Sequence, residues 1–99
     1  MIMAVKEILN QRFKINDEND YMIEKKREEL IEVLSKDEHS TIEVLKQLNE
    51  VEILYTSEVF EEIAYNLQSR KYIECLKQIQ KKFPKLDIMD AIKVAEEYI

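Results

Sequence analysis

The chain has 99 residues, 45% of them apolar and 36% charged, enough for one hydrophobic core and one domain of ordinary size. Fifteen Lys and Arg stand against twenty-one Asp and Glu, a net charge of −6, which is the wrong sign for a protein that grips bare DNA or RNA. Glycine is absent, against about seven per hundred in average composition. That excludes glycine-rich phosphate loops and makes tight hairpins hard to build, so the expectation is a single all-α domain spanning 1–99.

The hydrophobic period is helical nearly throughout. Val5, Ile8, Leu9 and Phe13 mark a short first helix. The polar run Asn16 to Asp20 breaks it, with Asn19 or Asp20 placed to cap a second helix that buries Ile23, Leu30, Ile31 and Leu34. Its other face mixes Lys25, Lys26, Arg27, Glu28, Glu29 and Glu32, as a solvated surface does. After a linker at 36–39, Ser40 and Glu43 have capping-box spacing for a third helix with Ile42, Leu45 and Leu48 inside. Asn49 is a candidate left-handed terminator. Val51 to Tyr55 reads as a turn or short helix.

Thr56 or Ser57 then caps a fourth helix striped by Val59, Phe60, Ile63, Ala64 and Leu67. Ser69 caps a fifth, with Ile73, Leu76, Ile79 and Phe83 inward, and Pro84 stops it. Asp87 is the expected cap of a sixth that packs Ile88, Ala91, Ile92, Ala95 and Ile99. Five or six short helices on short links imply antiparallel neighbours, stacked as hairpins like a small α-solenoid fragment.

Little here points to catalysis. One histidine, His39, and one cysteine, Cys75, lie far apart and supply neither a metal set nor an activated nucleophile. Carboxylate pairs such as Glu28 and Glu32 arise by chance among twenty-one acids on helices. The expectation is a protein that is not an enzyme and uses no cofactor or metal. A lone cysteine demands no oxidising compartment. No uncharged stretch nears the roughly 18 residues of a membrane span, and the first residues do not read as a leader. The cytoplasm is therefore expected.

Charge is distributed unevenly. Residues 37–67 hold eight acids against Lys46 alone, a net −7, while residues 68–86 hold six bases against Glu74 alone, a net +5. Two readings are open: the segments attract one another within the chain, or the acidic stretch steers a basic partner. On a helix from 57, Glu58, Glu61, Glu62 and Tyr65 form one strip roughly opposite Phe60, Ile63 and Leu67. Tyr65 is either an interface anchor on that strip or a packing residue against a neighbouring helix. Glu50, Glu52, Tyr55, Glu58, Glu61, Glu62 and Tyr65 are the candidate partner-binding residues.

Three motifs carry a family likeness: Ser57-Glu58-Val59-Phe60-Glu61-Glu62-Ile63 leading to Leu67-Gln68-Ser69, then Tyr72-Ile73-Glu74-Cys75-Leu76, then Phe83-Pro84-Lys85-Leu86. This stretch, about a third of the chain, resembles the C-terminal half of small helical immunity proteins of bacterial polymorphic toxin systems, in particular the immunity protein 30 family. Its residues are core and cap positions, and so speak to fold more than to a site. The resemblance implies a cognate immunity protein that neutralises one toxin domain by stoichiometric occlusion. An acidic binder suits a basic toxin such as a nuclease. The alternative is a small helical scaffold or regulatory module acting by self-association or protein binding.

Overall fold

A computed structural model describes residues 1–99. It is all α-helix, with no strand: α1 (Ile2–Lys14), α2 (Asp20–Leu34), α3 (Glu38–Leu45), α4 (Glu50–Thr56), α5 (Phe60–Leu67), α6 (Arg70–Lys82) and α7 (Met89–Glu96). The segment Ser57–Val59 is a single 3-10 turn that joins α4 to α5 without a break, so the domain is built from six rods. No helix is long and apolar enough to cross a membrane.

Capping chemistry sets most of the boundaries. Asn19 starts α2, its side-chain oxygen accepting from the Met22 amide, and Ser69 starts α6 by accepting from Tyr72. The Ser69 hydroxyl also meets the Glu38 carboxylate, which ties the start of α6 to the start of α3. Pro84 follows α6, and the turn beyond it is held by the Gln80 amide donating to the carbonyls of Phe83 and Leu86.

Four terminal signals act elsewhere than expected. α3 begins earlier than Ser40, because Asp37 takes the capping role and accepts from the Ser40 amide at 2.8 Å. That start places Thr41 inside the helix, where its buried hydroxyl donates to the Leu34 carbonyl at the end of α2. Asn49 does not end α3 in a left-handed turn. It is extended and forms a reciprocal capping box with Glu52 that starts α4. The left-handed position is Gln68, at φ 49°, where its side chain donates to the carbonyls of Tyr65 and Tyr98.

Thr56 and Ser57 do not cap a helix either. Their hydroxyls bond back to the carbonyls of Glu52 and Leu54, and the rod passes through them. The N-cap of α7 is Ile88 rather than Asp87, with no side-chain cap, because Ile88 is drawn into the core.

The core is one cluster of 20 buried residues to which every helix contributes. α1 lies on α2 and α4, α3 packs on α6, and α5 packs on α7 and more lightly on α2 and α6. Neighbours in sequence pack at α1–α2 and α6–α7, whereas α2 with α3 and α5 with α6, consecutive pairs that a stack of hairpins would join, touch only lightly. Tyr72 sits fully buried at the centre, its hydroxyl donating to the Phe60 carbonyl at 3.0 Å and fixing α6 against α5. α1 departs from expectation at Phe13, which is 60% exposed. The inward slot one turn beyond Val5 and Leu9 is taken by Arg12, and Phe13 instead meets the Tyr55 ring edge-on.

A candidate protein-docking site on the α4–α5 rod

The seven candidate residues all lie on the continuous rod from Glu50 to Leu67, yet the fold divides them. Glu52, Tyr55 and Glu58 look inward toward α1 and α2. Glu52 completes the capping box and accepts from the Lys6 ammonium at 3.0 Å. Tyr55 is half-buried between Phe13 and the Arg12 guanidinium, whose carbon stands 4.8 Å from the ring centre.

Glu58 is the centre of an ionic clamp. Its carboxylate accepts Nε and Nη2 of Arg12 at 3.1 and 2.8 Å, a bidentate fork, and also lies 3.4 Å from Arg27 Nη2. The Arg12 side chain is only 6% exposed and that of Glu58 22%. Burial alone would push the Glu58 carboxyl up, but the hydrogen bonds and charges of Arg12 and Arg27 outweigh it and hold the group below its ordinary value. The same hydrogen bond raises the Arg12 guanidinium. Arg12 Nη1 has no hydrogen-bond partner, and Asp17 is 3.9 Å away. The clamp joins α1, α2 and the 3-10 turn, so the Glu58 carboxylate is already engaged within the chain.

Glu61, Glu62 and Tyr65 lie beyond the clamp, between α2 and the end of α7. With Ile31, Asn66 and Tyr98 they line a shallow groove of about 380 Å³. Tyr65 is 65% exposed and Tyr98 46%, their rings edge-on with centres 6.2 Å apart. The groove's wall is braced from behind. Gln68 ties the backbone at Tyr65 to that at Tyr98, and the Asn66 amide donates to the Ser35 hydroxyl. Burial, and then the neighbouring Glu61 charge, push the Glu62 carboxyl up. No cation forms an ion pair with either carboxylate, since the salt bridges of the rod are made at Glu52 and Glu58. Glu50 is exposed at the far end of the rod, away from the tyrosines and beside Lys46, Lys82 and Phe83.

No ion pair joins the acidic segment 37–67 to the basic segment 68–86. The acids are met by Lys6, Arg12 and Arg27 from α1 and α2 and by Lys46, while Arg70 and Lys77 reach Glu96 near the end of α7.

One feature of the site escapes a reading by periodicity. Tyr98 lies just beyond α7 and enters the groove only because α5 and α7 pack together. Arg12 did leave a signal, a lone charge continuing the apolar stripe of Val5 and Leu9, which calls for a buried carboxylate opposite. No group of three or more His, Cys, Asp or Glu that could hold a metal ion is gathered anywhere in the fold. Compared with family models, curated proteins and solved structures, the chain matches none.

Proposed function

We propose that this chain is an immunity protein that binds a cognate bacterial toxin domain and neutralises it by stoichiometric occlusion in the cytoplasm, acting by contact rather than by turnover. The observation that carries the reading is the groove of Glu61, Glu62, Tyr65 and Tyr98: two exposed aromatic rings beside two carboxylates without ion-pair partners, on a braced frame. Aromatic anchors among charges of one sign are what a protein-reading surface needs, the rings for affinity and the charges for rapid, selective encounter. The likeness of Ser57 to Leu86 to the immunity protein 30 family gives the class of partner, and the acidic rim favours a basic toxin such as a nuclease.

The test is a binding measurement with the product of the adjacent, larger gene, which this reading predicts to carry the toxin domain. A 1:1 complex should form, with an association rate that falls as salt rises. Glu61→Lys with Glu62→Lys should slow association about tenfold at low salt, and Tyr65→Ala should speed dissociation. Glu58 is left intact in these variants, because reversing it would break the clamp. Absence of a complex, or affinity untouched by all three changes, refutes the assignment.

A second reading, self-association as a scaffold, is favoured by the exposed apolar edge of Val51, Leu54 and Phe13 where α4 meets α1. Sedimentation of the purified protein separates the two, since a scaffold is a stable oligomer without any toxin.

A further inference from the structure

A second surface differs from the acidic groove in every respect. Between α3 and α6 lies a cleft of about 270 Å³ whose floor is Leu45, Leu48, Ile79, Phe83 and the buried thiol of Cys75. Its rim is Lys46, Gln78 and Lys82. No acid lines it, in a chain with more acids than bases. Only Glu43 is within ion-pair distance of its cations, 3.9 Å from Lys46 along the same helix, and Glu50 stands beside Lys46 and Lys82 in the adjoining hollow. The Lys82 ammonium stands 5.2 Å from the centre of the Phe83 ring and has no carboxylate partner, and neither do Lys71, Lys81 and Lys85. Lys81 and Lys82 suit the C-terminal end of α6, where cations complement the helix dipole. That accounts for their sign but not for an apolar cleft opening between Lys46 and Lys82.

The size and the surroundings identify the occupant. The volume falls just below the roughly 300–1,000 Å³ of sites that engulf a small molecule, but suits one or two bulky side chains. The unpaired positive charge continues beyond the cleft through Lys81 to Lys85 at the C-terminal end of α6, over more surface than a small anion would use. We infer that the α3–α6 cleft docks an acidic segment of a partner protein, seating a bulky apolar side chain between Lys46 and Lys82 while flanking carboxylates meet those lysines, Lys81 and Lys85. This inference is independent of the toxin assignment, which concerns the groove of α2, α5 and α7.

The probe is a fluorescein-labelled synthetic peptide of glutamates around two central leucines, added to the 99-residue protein. Its anisotropy should rise on binding, and amide shifts should change at Gln78, Ile79 and Phe83. Modification of Cys75 by a thiol reagent should slow, since the occupant covers the floor. Lys46→Glu with Lys82→Glu, both at exposed positions, should weaken binding about tenfold or more with an unchanged circular dichroism spectrum. A peptide of glutamate alone should bind about tenfold more weakly. Failure of the leucine-bearing peptide to bind, equal binding of the all-glutamate peptide, shifts confined to Arg70 and Lys71, or indifference to the lysine reversals each overturns the proposal. So does a dimer in which Cys75 is already protected without peptide, because the occupant is then a second copy.

Discussion

Removing the charge of Glu58 tests the clamp directly. In Glu58→Gln the side chain keeps its shape and one acceptor, but the charge between Arg12 and Arg27 is gone, leaving only the exposed Asp17 at 3.9 Å from Arg12 and Glu24 at 3.6 Å from Arg27. Stripping one partner from a fully buried pair costs about 3–5 kcal/mol. Arg12 meets that description, but Glu58 is 22% exposed and Arg27 more so. Water can therefore recover part of the loss, and the expected cost is about 2–3 kcal/mol. At about 4–8 °C per kcal/mol for a domain of this size, the melting temperature should drop by roughly 10–20 °C.

The dependence on pH adds a second signature. The folded Glu58 carboxyl lies below its ordinary value near 4.5, so the unfolded chain takes up a proton here before the folded chain does. The stability that Glu58 contributes is complete above the ordinary value and is lost as pH falls through the folded one. Urea titrations of wild type and Glu58→Gln should therefore diverge at neutral pH and converge in acid. A double replacement, Arg12→Met with Glu58→Met, should recover most of the stability at pH 7, because the buried charge goes with its partner. A Glu58→Gln protein as stable as wild type at pH 7, or a gap that does not close in acid, refutes the reasoning.

Other substitutions probe single contacts. Thr41→Val removes the hydroxyl that satisfies the buried Leu34 carbonyl and should cost about 1–2 kcal/mol in denaturant. Tyr72→Phe, which unlinks α6 from the Phe60 carbonyl, should cost about 1 kcal/mol, with the m-value unchanged. Glu62→Gln should raise the melting temperature at pH 7. The folded carboxyl is pushed up, so its ionisation opposes the fold above that value, and the gain should vanish in acid. Gln68→Gly relieves a left-handed residue worth about 1–2 kcal/mol but loses the link to Tyr98. A near-neutral change in stability, with a larger Tyr98 motion seen by NMR relaxation, is the expected outcome.

Where the sequence was legible, it was because one signal had one meaning. The absence of glycine and the apolar stripes of α5 and α6 lead straight to helices with Ile63, Ile73, Leu76 and Ile79 inside. Ser69 had no rival as a cap. Asp37 and Ser40, by contrast, are both good caps, and only the buried Leu34 carbonyl waiting for Thr41 decides between them. Asn49 suits either end of a helix, and Glu52 reaching back to it resolves the choice. In the candidate site the strip of Glu58, Glu61, Glu62 and Tyr65 was visible, but its division was not. That depends on where α1 brings Arg12 and where α2 brings Arg27, and pairings between distant elements leave no local period.

The uninterrupted rod from α4 through α5 sets an obligatory post and a replaceable face within one helical turn of each other. Position 58 carries the weight of two neighbouring helices, whereas 61, 62 and 65 are spared that duty. Side-chain changes at the outer three therefore put the scaffold at little risk, and that latitude makes them the natural positions to randomise when a new target is sought.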